Sequence, residues 1–274
     1  MKVVMFSHKG KTPKAGILEG DQIIAIPWLG SLGSLIESGI TPGRTSDRFP
    51  LAECKLLAPL RPGKILCIGR NYAAHAAELG NQIPAAPMIF AKFGSSVIGV
   101  DEPIVWDQTI TQQVDWEGEL AVVIGKRGKY LREADVPNYL FGYTIANDVS
   151  ARDLQDSESQ WTRAKSMDTF CPLGPCIVTK NEIPDPQNLR VITQVNGETM
   201  QDGLTAHMLR GVYDLVAYCS QSFTLEPGDV ILTGTPSGVG KGMTPPRFLQ
   251  DSDTVSITIE PIGTLTNPCQ VMQS

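Results

Sequence analysis

With 274 residues, 42% of them hydrophobic and 19% charged, the chain can bury a core without disulfide or metal staples, as one large domain or one with a small companion. Twenty-three lysines and arginines stand against 29 aspartates and glutamates, a formal net charge of −6, which argues against the basic face that a protein coating nucleic-acid phosphates requires. No apolar run approaches the ~18 residues of a membrane span, and the N-terminal stretch turns polar at Ser7-His8, too early for a secretory signal, so a cytoplasmic protein is expected. The six cysteines, at positions 54, 67, 171, 176, 219 and 269, form no CxxC pair. Buried reduced thiols are expected rather than a disulfide framework.

Residues 1–60 read as a small unit. Lys2–Phe6 is a short strand, Ala15–Leu18 and Gln22–Ile26 flank the turn Glu19-Gly20-Asp21 of a hairpin, and Ser31–Ser38 suits one short helix. Pro59-Leu60-Arg61-Pro62-Gly63 marks a boundary. Over residues 61–274 strands dominate. Lys64–Ile68 is an apolar strand stopping at Gly69, and alanine-rich Asn71–Leu79 is a helix that ends before Gly80. Val114–Ile124 and Tyr139–Val149 are long strand candidates. Val191–Val195 leads into a hairpin, because Asn196-Gly197 supplies the positive φ angles of a type I′ turn. Gly211–Phe223 is helical, Asp229–Thr233 is a strand, and Val255, Ile257 and Ile259 alternate with polar neighbours in the last strand. Many strands with few long helices predict an α+β, β-rich roll rather than a doubly wound sheet.

The strongest chemical signal is Asp115-Trp116-Glu117-Gly118-Glu119 running into Leu-Ala-Val-Val-Ile. Side chains alternate along a strand, so Glu117 and Glu119 share a face about 6.5–7 Å apart. On a buried strand two such carboxylates need a cation or a proton, and oxygen-only ligands favour Mg²⁺, Mn²⁺ or Ca²⁺ over zinc. A half-exposed strand with both glutamates in water fits the same spacing. Asp148 follows the apolar run Tyr139–Ala146 and could complete a three-carboxylate shell, or cap the helix after it.

His75 and Glu78, at i and i+3 on the alanine-rich helix, share a face. A carboxylate on one imidazole nitrogen orients the ring and raises its basicity, which suits activation of water; an ordinary surface pair has the same spacing. His8 and His207 have no such neighbours in sequence and read as structural. Lys165 lies in a loop of charges, hydroxyls and tight turns, where it could offset carboxylate charge or hold an anion. Thr233-Gly234-Thr235-Pro236-Ser237-Gly238-Val239-Gly240-Lys241-Gly242 fails as a P-loop, since no glycine stands five residues before Gly240 and Lys241 is followed by glycine. Its amides and the Thr235 hydroxyl are expected to approach a small anion.

Taken in order, Ile68-Gly69-Arg70-Asn71-Tyr72 with His75 and Glu78, Glu117-Gly118-Glu119, Asn147-Asp148 to Asp153, Lys165 to Phe170 and Thr233-Gly234-Thr235-Pro236 resemble the fumarylacetoacetate hydrolase family in its short bacterial form, over roughly residues 60–270. Residues 1–60 resemble the small N-terminal domain of some members. The resemblance implies a mixed β-roll, a homodimer, and Mg²⁺ or Mn²⁺ on Glu117, Glu119 and Asp148. His75 and Glu78 match the water-activating dyad on a lid segment, Lys165 the active-site lysine, and Arg152, Gln155 and Thr235 substrate-holding positions. Arg70 joins these as a candidate substrate contact, and Thr169 sits near the metal in relatives. The implied chemistry is cleavage of a carbon–carbon bond in a small 2-oxo acid, by acylpyruvate hydrolysis or oxaloacetate decarboxylation through an enolate stabilised by metal and Lys165. A decarboxylase/isomerase of aromatic catabolism or a diketo sugar-acid hydrolase is the alternative on the same scaffold. A metal-binding dimer without catalysis would have no use for the His75–Glu78 pair.

Overall fold

The strand Gly118–Ile124 is buried at every position, so it belongs in the middle of a sheet covered on both faces. The computed structural model describes residues 1–272 and has this strand paired antiparallel with Leu140–Asn147 on one side and Val230–Leu232 on the other. Beyond Leu140–Asn147 the sheet runs through Cys171–Thr179 to Lys2–His8, Lys14–Glu19, Gln22–Ala25 and Arg48–Pro50. Beyond Val230–Leu232 it continues through Ile65–Gly69, paired in parallel, to the edge strand Met88–Lys92. A second sheet orders Glu198–Leu204, Arg190–Val195, Thr254–Ile259, Gly263–Val271 and Ile104–Trp106. The architecture is α+β and sheet-rich.

Alternation along Gly118–Ile124 divides the core in two. Leu120, Val122 and Ile124 face Val191, Ile257 and Leu265 of the second sheet. Ala121 and Val123 face the opposite way and pack with Leu32, Leu35 and Ile36 of the helix Leu32–Ser38. That helix forms where its signals place it: the Ser31 hydroxyl accepts from the Ser34 amide at 3.1 Å, and Gly39 closes it at φ +67°. The first sixty residues therefore share both the main sheet, through Lys2–His8 on Cys171–Thr179, and one face of its core. The helix Val212–Ser222 buries Val212, Leu215, Val216 and Cys219, the 3–4 spacing of an amphipathic stripe.

Most expected elements form, with the Asn196-Gly197 turn at φ +52° and +80°. Two differ in ways that shape the site. The expected strand Val114–Ile124 is interrupted: Val114–Asp115 pairs with Ser150–Ala151, and Gly118–Ile124 pairs with Leu140–Asn147. The Glu117 amide between them donates to the Asn147 side chain at 2.9 Å instead of to a ladder carbonyl. The helix expected from Asn71 spans Ala73–Glu78, because the Asn71 side chain is committed to the Thr233 and Arg210 carbonyls at 2.8 and 3.0 Å. All six cysteines are free thiols. Among the described residues no helix is long and apolar enough to cross a membrane.

Candidate metal centre

Strand pairing brings together the acids that the sequence separates. Gly118 lies opposite Asn147 in an antiparallel ladder, so Glu117 and Asp148, one step outward on each strand, meet; the Asp148 amide donates to the Glu117 carbonyl at 2.9 Å. Glu119 lies two residues along the same edge. One carboxylate oxygen from each of Glu117, Glu119 and Asp148 lies within 4.8 Å of the other two, and all three residues are buried. Asp148 caps no helix, since the following helix begins after Ala151 without a side-chain cap.

Three buried cations answer these acids. Lys165 Nζ donates to Glu117 Oε2 at 2.7 Å and Asp148 Oδ2 at 2.9 Å. Lys92 Nζ donates to Asp148 Oδ1 at 2.6 Å and to the Val149 carbonyl at 3.2 Å. Arg152 binds Asp115 through Nε at 2.8 Å and Glu117 through Nη1 at 2.7 Å; its Nη2 is buried with no hydrogen-bond partner. Burial alone would neutralise Glu117, yet Lys165 and Arg152 outweigh it and hold the carboxyl well below the usual carboxylate range. Glu119 has no cation. It accepts from the Gly234 amide at 2.7 Å, and burial, then the charges of Asp148 and Glu117, push its carboxyl well above its usual value.

This donor set fits a divalent cation. It offers oxygen ligands only, as hard cations prefer, and Glu119 faces two carboxylates with no positive partner of its own. The Lys165 ammonium, by contrast, keeps its proton: burial opposes its charge, but Asp148 and Glu117 raise its affinity for it.

The other expected residues divide. His75 is buried, and its Nδ1 lies 2.8 Å from Glu78 Oε1. Glu78 Oε2 accepts from the Gly238 amide at 2.9 Å, tying the helix to the glycine-rich loop. Arg70, His75, Glu117, Glu119, Arg152, Gln155, Lys165 and Thr235 all line one cavity of about 310 Å³. Thr169 does not line it: its hydroxyl is engaged with the Val105 backbone amide and carbonyl at 2.8 and 3.2 Å. The glycine-rich loop also departs from expectation. Its amides serve the protein's own carboxylates, Gly234 on Glu119, Gly238 on Glu78, and Gly240 and Lys241 on Asp115. The Thr235 hydroxyl donates to the Gly118 carbonyl at 2.9 Å and accepts from Gln201 at 2.7 Å. No amide is thereby left free at those four positions for an external anion.

Lys92 and Asp115 escape sequence reasoning. A lysine ending the apolar run Met88–Lys92 reads as a solvated strand terminus, yet this one is 3% exposed. Asp115 carried a signal, a third acid in the buried run before Glu117, but its partners Arg152, Gly240 and Lys241 come from distant segments. His8, without a near neighbour in sequence, pairs with Glu53 at 3.0 Å on the exposed surface.

Residues 64–270 match the family model described as fumarylacetoacetate (FAA) hydrolase C-terminal, and residues 1–59 match Rv2993c-like, N-terminal. Oxaloacetate tautomerase YisK of Bacillus subtilis is 49% identical over 226 residues, 81% of this chain and 75% of that protein. Among solved structures, 2-hydroxyhepta-2,4-diene-1,7-dioate isomerase from Mycobacterium marinum superposes with a TM-score of 0.86 at 40% identity, covering 100% of both chains. Maleylpyruvate hydrolase from Sphingobium sp. SYK-6, solved with manganese(II) and pyruvate, superposes at 0.81 with 29% identity, again over 100% of both.

Proposed function

The chain belongs to the fumarylacetoacetate hydrolase family and is an enzyme, and from that membership we propose that it acts on oxaloacetate or a closely related 2-oxo acid, interconverting its enol and keto forms with Mg²⁺ or Mn²⁺ held by Glu117, Glu119 and Asp148. The observation that carries this reading is the buried carboxylate triad with Lys165 on two of its members and an unpartnered Arg152 Nη2 beside it. A divalent cation in that position supplies Lewis acidity, polarising the 2-oxo group so that the neighbouring carbon gives up a proton more readily. The chain's own residues do the rest. Arg152 Nη2 offers a charge-assisted hydrogen bond to the substrate carboxylate. Lys165 keeps positive charge where negative charge develops on the oxo oxygen. In this reading His75, hydrogen-bonded to Glu78 at 2.8 Å, takes and returns the proton.

The carbon–carbon cleavage expected from the sequence becomes the second reading, favoured by the His75–Glu78 pair. Loss of the oxaloacetate 4-carboxylate as CO2 leaves the enolate of pyruvate, whereas tautomerisation passes through the enolate of oxaloacetate itself; both put negative charge on the 2-oxo oxygen, so the same positive groups serve either. Hydrolysis of an acylpyruvate asks in addition for an activated water, which the pair suits. The names of relatives favour the first reading: oxaloacetate tautomerase for YisK, with maleylpyruvate hydrolase as support for the second.

The test is to follow loss of the enol absorbance of fresh oxaloacetate and release of pyruvate in the same samples. Enol–keto conversion accelerated by protein with Mg²⁺ or Mn²⁺, and abolished by excess EDTA, is expected; an acceleration unchanged by EDTA contradicts the proposal. Pyruvate release outpacing tautomerisation would move the second reading into first place. His75→Ala is expected to slow proton transfer about 10²–10⁴-fold, the range of general acid–base catalysis.

A further inference from the structure

The cavity has two electrostatic parts. Its inner wall carries Glu117, Glu119, Arg152 and Lys165, with Asp115, Asp148 and Lys92 buried against them through ion pairs. With all seven ionised, the four carboxylates exceed the three cations by one charge, and a divalent cation at the triad reverses the sign of this cluster, which suits it to a substrate carboxylate. The outer part carries two further cations on the cavity wall, Arg70 and Lys241. Lys241 is spent on Asp156, whose two oxygens lie 2.5 and 2.6 Å from Nζ. Arg70 has no ion-pair partner among the described residues. Its guanidinium lies over the Trp161 ring, 5.8 Å from the centroid.

The placement of Arg70 is strongly constrained. Its backbone is left-handed at φ +56°, a conformation that a long side chain without local hydrogen bonding adopts only where its surroundings hold it. They do so on both sides. Asn71 donates to the Thr233 and Arg210 carbonyls and accepts from the Arg210 amide at 3.0 Å. Gly69 lies so close to Trp161 that a Cβ there would come within 3.0 Å of the ring. Trp161 is itself set edge-on against Phe90, with centroids 5.4 Å apart.

We propose that Arg70, held over Trp161, receives the distal carboxylate of the substrate and makes this site selective for 2-oxo diacids over 2-oxo monoacids. The proposal deepens the reading of the site given above and rests on it. Oxaloacetate and 2-oxobutanoate share a four-carbon skeleton and differ in carrying a carboxylate or a methyl group at the far end. Their binding is measured by stopped-flow tryptophan fluorescence with Mg²⁺ present, before turnover, for the wild type, Arg70→Gln and Arg70→Lys. The wild type is expected to bind oxaloacetate about 10- to 100-fold more tightly than 2-oxobutanoate, the range of a hydrogen bond to a charged group. Arg70→Gln is expected to lose that preference while its affinities for 2-oxobutanoate and for Mg²⁺ alone stay within about twofold of the wild type. Arg70→Lys, which keeps the charge but not the planar fork, should retain part of it. An Arg70→Gln variant that keeps the full preference, or weakens both acids equally, overturns the assignment. If the wild type binds both acids equally, the role of Arg70 falls alone; if it binds neither, the reading of the whole site falls with it.

Discussion

Glu117 and Glu119 are two residues apart and equally buried, yet their surroundings oppose each other. Glu117 answers Lys165 and Arg152, whereas Glu119 receives one backbone amide and faces two other carboxylates. Their isosteric variants should therefore separate metal binding from stability. Glu119→Gln keeps an acceptor for Gly234 and removes a repelling charge, so the metal-free protein is expected to melt no lower than the wild type. Its Mn²⁺ affinity should nevertheless fall by about 100-fold or more, beyond the ~10–100-fold of residues that only orient ligands. Glu117→Gln leaves Lys165 with Asp148 and Arg152 with Asp115 as their remaining carboxylates, and since breaking a buried pair outright costs about 3–5 kcal/mol, its unfolding free energy in urea should drop by up to that order. Equal melting behaviour in the two variants would show that the two acids do not differ in this way. Spacing made the Glu117–Glu119 pair legible in the sequence, and Asp148 joined it only through the family resemblance. The counter-ions Lys92 and Asp115 were not legible, because each acquires its role only from partners more than 30 positions away.

At the level of elements, the site depends on an interruption. Had Val114–Ile124 run unbroken, Glu117 would sit in the ladder; instead its amide turns to Asn147, and Trp116 is buried with its indole donating to the Gly238 carbonyl at 3.1 Å. Gly118 makes the crossing possible, since a Cβ there would lie 2.2 Å from Thr193 Oγ1 and 3.1 Å from Ile257. Gly118→Ala is therefore expected to destabilise the protein by about 1–3 kcal/mol through overpacking, and to weaken metal binding by shifting both flanking glutamates. A variant with wild-type melting and wild-type Mn²⁺ affinity would remove this strand junction from the account. Alternation predicted the shared face of the two glutamates but not the break, because the groups that divert the backbone belong to other strands. The glycine-rich loop was legible as backbone-rich; that its amides would be consumed by Glu78, Glu119 and Asp115 is a tertiary fact with no local signature.

In the whole molecule, the strand bearing Glu119 is clamped between two cores. One face meets the five-stranded sheet and the other meets the helix Leu32–Ser38. Hairpin and cap signals made the N-terminal elements readable, while their union with the main sheet through Cys171–Thr179 rests on a pairing about 175 residues distant in sequence, which no local pattern encodes. Deleting residues 1–59 would uncover Ile65, Cys67, Ala121 and Val123, and the remainder is expected to lose cooperative thermal unfolding by circular dichroism; an undiminished transition would mean that this layer is dispensable. Everything proposed for the chemistry converges on the ion between three carboxylates. Crystals grown with Mn²⁺ and measured for anomalous scattering test it most directly: the account expects one strong peak within bonding distance of Glu117, Glu119 and Asp148, and a fully loaded crystal whose peaks all lie elsewhere would contradict it.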